Sequence, residues 1–274
     1  MFECCNEIRR NIKTFTTLEH SEVTIMNYIF FGTPRFAEII LDALIRANMP
    51  PAALVCNPDR PVGRKKIITP PTTKRLVAGN HPETTVLQPE TLDAAFEKKL
   101  RTFKPDFFVV AAYAKIIPKT ILDIPALGTL GFHPSLLPKY RGTSPLQSAI
   151  LNGEKETSVA IYRMDEKMDH GKILAISKSA IGNDETFTSL LEKLGTQGGK
   201  LLVETLPKFI SGKIKGSPQD ENAATFTKKF KTEDGYVTPE DLKDAETGDS
   251  EKAETIFRKI RALNPEPGVW TMRA

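Results

Sequence analysis

A histidine at the start of a stiff, polar loop is the first feature that could do chemistry. His133 ends an apolar run, and Pro134, Pro138 and Gly142 restrict the backbone beyond it. Histidine exchanges a proton near neutral pH, and open α/β sheets bind their ligands beyond the carboxyl ends of the strands. The sequence therefore predicts proton transfer at His133, with a purely structural histidine as the alternative.

A second polar cluster lies downstream, between two predicted strands. It reads Met164-Asp165-Glu166-Lys167-Met168-Asp169-His170-Gly171. Asp169 could reach His133 and hold its imidazole in one tautomer, or its carboxylate could simply form an Asx turn before Gly171. The spacing of the residues does not separate these two interpretations.

A long basic loop follows the second predicted strand. Within residues 57–71 the cations are Arg60, Arg64, Lys65 and Lys66, and the acid is Asp59. Loops of this length in a compact domain are usually functional or disordered, and clustered cations bind a phosphate backbone without reading its sequence. The loop is thus a candidate nucleic-acid contact, and a solvated basic loop is the alternative.

Two classes of cofactor are disfavoured by the sequence. The turn Gly32-Thr33-Pro34 has one glycine where a dinucleotide fingerprint needs three, so we predict no nicotinamide cofactor. The three cysteines, Cys4, Cys5 and Cys56, have no metal-ligand spacing, so we predict no metal site. The same cysteine usage favours a reducing cytoplasm.

The elements that must position these residues alternate between strand and helix. Strands are predicted at 28–31, 52–55, 85–87, 107–112, 127–133, 158–162 and 172–177, and helices at 35–47, 92–103, 145–151 and 186–210. Nearly continuous apolar strands between amphipathic helices predict an α/β fold with a sheet covered on both faces. We expect a doubly wound, mainly parallel, Rossmann-like sheet over residues 26–213.

The two ends of the chain differ from this pattern. Residues 1–25 have no apolar segment typical of a secretory signal, so we predict a disordered extension before a working start at Met26. Residues 214–274 are rich in charged residues, threonine and proline, and are predicted to form a linker and the start of a second domain. No apolar run approaches the roughly 20 residues of a membrane span. The net charge of +4 favours an anionic partner only weakly.

Five segments together resemble those of the methionyl-tRNA formyltransferase family. They are Phe31-Gly32-Thr33-Pro34, Pro58-Asp59-Arg60-Pro61-Val62-Gly63-Arg64, residues 110–118, His133-Pro134-Ser135-Leu136-Leu137-Pro138-Lys139-Tyr140-Arg141-Gly142 and Met168-Asp169-His170-Gly171. The resemblance runs from about residue 27 to residue 270. The Ser-Leu-Leu-Pro-x-x-Arg-Gly element with its downstream Asp-x-Gly is specific to folate formyltransferases, and the basic loop and residues 260–265 point to the tRNA-directed branch.

The resemblance implies a function and a set of site residues. The family transfers a formyl group from 10-formyltetrahydrofolate to the amine of methionyl initiator tRNA, using an Asn, a His and an Asp without a metal. His133 and Asp169 match the histidine and the aspartate. The implied folate contacts are Ile116, Ser135, Leu136, Leu137 and Pro138, and the implied tRNA contacts are Arg60, Arg64, Lys65 and Lys66. We expect a cytoplasmic monomer whose partners are this folate and the initiator tRNA.

Two positions depart from the family pattern. Gly131 stands where the family has the Asn, and the loss of one oxyanion donor costs about 10²–10³ in rate. A water in the vacated space would recover part of this loss, and Gly131→Asn is expected to raise turnover. The chain ends at Ala274, where the family continues into a β-barrel that helps to hold tRNA, so a truncated second domain and weak tRNA affinity are expected. The alternative functions are a sugar-nucleotide N-formyltransferase and a catalytically impaired folate-binding homologue.

Overall fold

Strands and helices alternate along the computed structural model, which describes residues 27–63 and 65–272. The strands are β1 Tyr28–Gly32, β2 Ala53–Val55, β3 Arg60–Val62, β4 Ile67–Thr69, β5 Thr85–Leu87, β6 Phe107–Ala111, β7 Thr129–His133, β8 Arg141–Gly142, β9 Glu156–Arg163, β10 Ile173–Ala180 and β11 Phe226–Thr227. The helices are α1 Arg35–Arg46, α2 Thr72–Asn80, α3 Ala94–Thr102, α4 Lys119–Leu122, α5 Pro145–Leu151, α6 Phe187–Ile210, α7 Pro239–Glu246 and α8 Ser250–Leu263.

Seven of the described strands form one sheet in the order β10-β9-β7-β6-β1-β2-β5. The strands from β7 to β5 pair in parallel, whereas β9 and β10 add an antiparallel edge. The prediction of a doubly wound, mainly parallel α/β sheet is confirmed. Strand β1 lies between β2 and β6. The chain continues from β1 to β2 on one side of it, and later forms β6 on the other side. The carboxyl ends of β1 and β6 therefore form the crevice where such sheets bind ligands.

Apolar cores cover both faces of the sheet. Successive side chains of a strand point to opposite faces, so Phe30 packs in one cluster with Leu41 of α1, and Phe31 packs in another with Leu100 of α3. All five residues of β1 are buried. This two-sided packing fixes the strand ends, and with them the loops that carry the site.

The basic loop differs from its prediction, because it is a short β-hairpin. Strands β3 and β4 pair antiparallel, and the turn between them uses the left-handed backbone at Gly63 (φ 71°) and Lys66 (φ 49°). Five of the six residues in these two strands are exposed, so no buried apolar run marks them in the sequence. Arg64 lies outside the described residues.

The segment after residue 213 packs against the sheet domain. Strand β11 pairs in parallel with β8, and Ala262 and Leu263 of α8 are buried in the main core. Helix α8 begins at Ser250, because the carboxylate of Asp249 caps the amides of Glu251 and Lys252 at 3.1 and 3.0 Å.

Two predictions about the chain ends are not addressed by these elements. The expected disorder of residues 1–25 and the expected start at Met26 lie outside the described residues. Among those that are described, no helix is both long and apolar enough to cross a membrane.

Candidate active site

His133 is the last residue of β7 and is almost fully buried. Its Nε2 lies 2.7 Å from the carbonyl oxygen of Tyr140. A carbonyl can only accept, so we assign a hydrogen to Nε2. Nδ1 then lies 3.5 Å from Oδ2 of Asp169, where a proton on Nδ1 would meet a carboxylate.

Asp169 is brought to His133 by the loop between β9 and β10. Its Oδ2 accepts a hydrogen bond from the amide of Gly142 at 2.8 Å, and its Oδ1 accepts one from the hydroxyl of Tyr162 at 2.7 Å. Gln219 donates to its carbonyl oxygen at 2.8 Å. The side chain thus faces β7 and β8, where its Oδ2 would meet a proton on Nδ1 of His133.

The Asp-x-Gly motif requires glycine at position 171 for a steric reason. A Cβ at Gly171 would overlap the carbonyl oxygen of Arg163, so the backbone of β9 and the loop can approach this closely only with glycine. Asp169 itself adopts a left-handed backbone with φ 49°. Together these two features turn the carboxylate back toward His133.

Gly131 lies on β7 directly opposite Tyr162 on β9. A Cβ at position 131 would lie 2.5 Å from Cζ of Tyr162 and 2.8 Å from Cγ of Met164. The two expectations about this position are therefore revised. No vacated space is left for a water, because the Tyr162 ring fills it, and Gly131→Asn alone would displace that ring instead of restoring a donor.

The loop after His133 is tightly held. The Ser135 hydroxyl donates to the carbonyl oxygen of Lys139 at 2.7 Å, and the carbonyl oxygen of Ser135 accepts from the hydroxyl of Ser158 at 2.6 Å. Leu137 is buried beside Tyr162, while Leu136 and Pro138 are partly exposed. Ile116, which belongs to the loop after β6, is 90% exposed. These residues surround the carboxyl edge of the sheet, where the implied folate contacts would need to lie.

A buried arginine links this loop to the distant segment around residue 220. Arg141 is 2% exposed and forms a two-pronged ion pair with Glu221, with N–O distances of 2.6 and 3.0 Å. It also donates to the side-chain oxygen of Gln219 at 2.8 Å. These hydrogen bonds hold the pKa of Glu221 below its ordinary value.

Four residues near the site had no predicted role in catalysis or binding. They are Arg141, Tyr162, Gln219 and Glu221. Arg141 stands inside the recognised motif, so its position carried a signal. Tyr162 becomes visible only through the register between β7 and β9, and the other two are brought close by contacts across about 80 residues of chain.

The basic hairpin, formed by β3 and β4, is exposed and lies apart from the pair of His133 and Asp169. Arg60 pairs with Glu90 at 2.7 Å, and both side chains are mostly in solvent. Lys65 and Lys66 are exposed, as are the aliphatic side chains of Val62 and Ile67. The hairpin thus presents cations and apolar groups together. Over the residues described, no group of three His, Cys, Asp or Glu is placed to hold a metal ion.

These features define an α/β fold with a candidate active site at the largely buried His133 and Asp169, beside the sheet crevice. Comparison with protein families matches residues 26–206 to the formyl transferase domain. The chain belongs to this formyl transferase family.

Two curated relatives show which members of the formyl transferase family the chain is similar to. The chain is 39% identical to the methionyl-tRNA formyltransferase of Halorhodospira halophila, over 88% of the chain and 74% of that protein. It is 42% identical to the methionyl-tRNA formyltransferase of Campylobacter curvus, over 89% of the chain and 77% of that protein.

A solved structure supports the fold alone. It is the N-formyltransferase from Helicobacter canadensis in complex with folinic acid and dTDP-3-aminofucose. The TM-score is 0.62 and the identity 17%, over 86% of this chain and 80% of that one.

Proposed function

We propose that the protein transfers a formyl group from 10-formyltetrahydrofolate to the amino group of methionyl initiator tRNA. The observation that carries this proposal is the buried contact between His133 and Asp169 at the end of β7. Both residues match the positions that the resemblance assigns to the reaction, in a chain similar to methionyl-tRNA formyltransferases.

The reaction needs a site that handles charge and one proton. The neutral amine attacks the formyl carbon, the bond from that carbon to the folate nitrogen breaks, and that nitrogen takes up a proton. Negative charge builds on the formyl oxygen during attack, and positive charge builds on the amine. Because Nε2 donates to the carbonyl of Tyr140, Nδ1 of His133 is the nitrogen that can receive the proton leaving the amine. Asp169 stabilises the imidazolium that results, and its positive charge can stabilise the formyl oxygen.

The folate is proposed to bind over the loop 135–138 and the loop that carries Ile116. The internal hydrogen bonds of Ser135 hold the first loop in one conformation. Because Ile116 projects into solvent, its side chain is free to pack on a bound ligand.

The acceptor arm of the tRNA is proposed to contact the hairpin of β3 and β4. Arg60, Lys65 and Lys66 offer cations there, as Arg64 does in sequence, and counterion release makes such contacts favourable. The predicted domain bounds, monomeric state and cytoplasmic location stay predictions.

The direct test is the transfer of labelled formyl from 10-formyltetrahydrofolate to methionyl initiator tRNA. We expect transfer by the parent protein and a loss of about 10²–10⁴ in kcat for His133→Ala. Asp169→Asn keeps the side-chain shape but removes the charge, and should lose a similar amount.

Folate binding provides the control for this assay. Both variants should still bind folate, which would place the defect in the chemical step. Transfer that survives His133→Ala would contradict the proposal. Transfer to dTDP-3-aminofucose but not to the tRNA would assign the protein to sugar nucleotides instead.

A further inference from the structure

Gly131 and Tyr162 share one space in the site. They face each other across the pairing of β7 and β9, and a Cβ at position 131 would lie 2.5 and 2.6 Å from Cζ and Cε1 of the tyrosine ring. Real Cβ atoms do not approach a ring this closely, so any side chain at position 131 excludes the ring from its present place. The tyrosine is accommodated only because the facing residue is glycine.

The hydroxyl of Tyr162 reaches the reacting pair. It donates its single hydrogen to Oδ1 of Asp169 at 2.7 Å, while Oδ2 of the same carboxylate lies 3.5 Å from Nδ1 of His133. Tyr162 is 3% exposed, and burial, reinforced by the negative charge of Asp169, raises the pKa of its hydroxyl well above the ordinary value. The phenol therefore remains a neutral donor throughout the working pH range.

This hydrogen bond fixes the carboxylate in one orientation. Without it, the carboxylate of Asp169 would be held by the amide of Gly142 alone, and could rotate about its last side-chain bond and turn away from His133. The donor comes from a β-strand packed in the core, so its position is rigid. Such support determines how well a catalytic geometry is held.

We propose that Tyr162 is a positioning residue of the formyl-transfer site, admitted by Gly131 in exchange for the family Asn. This role of Tyr162 rests on the function proposed above. It makes Gly131 one half of a matched arrangement in which the carboxylate is oriented from β9. The single hydrogen of the phenol is committed to Asp169, so the oxyanion donor that the Asn would supply is not replaced by Tyr162.

Tyr162→Phe is the sharpest test, because it keeps the ring and removes only the hydroxyl. We expect kcat for formyl transfer to fall roughly tenfold to a hundredfold, with KM for both substrates and the melting temperature little changed. An unchanged kcat would overturn the inference. So would a loss confined to KM, or a fall in activity that merely follows a fall in melting temperature.

Exchange of the two side chains tests their pairing. Gly131→Asn alone should lower both kcat and the melting temperature, because the ring is displaced. Gly131→Asn combined with Tyr162→Ala should exceed the kcat of Tyr162→Ala alone, since the amide, once the flexible side chain of Met164 shifts, has room to supply the oxyanion donor. A double variant no better than Tyr162→Ala would contradict a matched pair.

Crystal structures of the parent protein and of Tyr162→Phe test the same point without activity. Asp169 should turn away from His133 in the variant, and an unmoved carboxylate would overturn the inference. A parent protein that transfers no formyl group would refute the proposed function, whereas active parent and Tyr162→Phe proteins of equal kcat would refute only the positioning role.

Discussion

At the scale of single residues, the carboxylate of Asp169 shows how the site is preorganised. Its two oxygens have different donors, the phenol of Tyr162 and the amide of Gly142. The backbone carbonyl of Asp169 accepts a hydrogen bond from a third donor, the side-chain amide of Gln219. A group fixed from three directions would not need to reorganise when His133 gains charge in the proposed reaction, and preorganised polar groups lower a reaction barrier in this way.

Cys56 makes a prediction about pH, because it is a fully buried thiol just beyond β2. Burial raises its pKa from 9.0 to about 11. Between these values the unfolded state has lost the proton and the folded state keeps it, so the free energy of unfolding falls as the pH rises. A shift of this size corresponds to about 3 kcal/mol. Urea unfolding at both ends of this range should show it.

The matched variant for this test is Cys56→Ala. This substitution leaves a cavity that lowers the free energy of unfolding at every pH. The quantity to compare is therefore the change in that free energy between the two pH values. That change should be smaller in Cys56→Ala by about the amount given above, since the buried tyrosines remain in both proteins. Equal changes would mean that the thiol does not titrate as its burial requires.

At the scale of elements, the segments of the main sheet and the helices with a clear apolar face could be predicted, whereas the short strands outside the main sheet could not. The bounds of α5 and β5 were predicted fully, and those of β1 and α6 to within one residue. Strands β8 and β11 have two residues each, and such strands exist only through their mutual pairing. The site follows the same division. His133 and Asp169 were visible as residue types, whereas Tyr162 depends on the register of β7 against β9.

The pairing of β8 with β11 is held by the ion pair between Arg141 and Glu221. Glu221→Ala should leave the buried guanidinium with Gln219 alone, and should loosen the segment that positions Asp169. We expect trypsin to cut several-fold faster at Lys215 and Lys228, which flank this segment, and kcat for formyl transfer to fall. Mass spectrometry of the fragments would identify the cleavage sites.

Glu240→Ala is the matched control for this variant. Glu240 is an exposed glutamate on α7, away from the site. Its removal should leave the cleavage rate at Lys215 and Lys228 unchanged. Equal rates in Glu221→Ala and the parent protein would show that the ion pair does not hold the segment.

At the scale of the whole molecule, the C-terminal segment is connected to the sheet by a series of contacts. The ring of Trp270 packs at a tilt against that of Tyr236, with ring centres 4.6 Å apart, and the carbonyl oxygen of Tyr236 accepts from Lys259 of α8 at 2.7 Å. Helix α8 in turn buries Leu263 in the main core, and its Arg261 donates to the carbonyl oxygen of Glu185 at 2.9 Å. The segment after residue 213 is thus continuous with the domain that carries the site.

This continuity predicts a single cooperative unfolding transition. Trp270 is the one tryptophan of the sequence, so its fluorescence reports the C-terminal segment, while far-UV circular dichroism reports the whole fold. The two urea midpoints should coincide. Leu263→Ala removes a side chain that is 1% exposed, and should lower the free energy of unfolding by about 2–5 kcal/mol in both signals. Ile260→Ala, on the exposed side of the same helix, should cost about 1 kcal/mol or less. A fluorescence transition that precedes the dichroism signal would instead make the segment a separate folding unit.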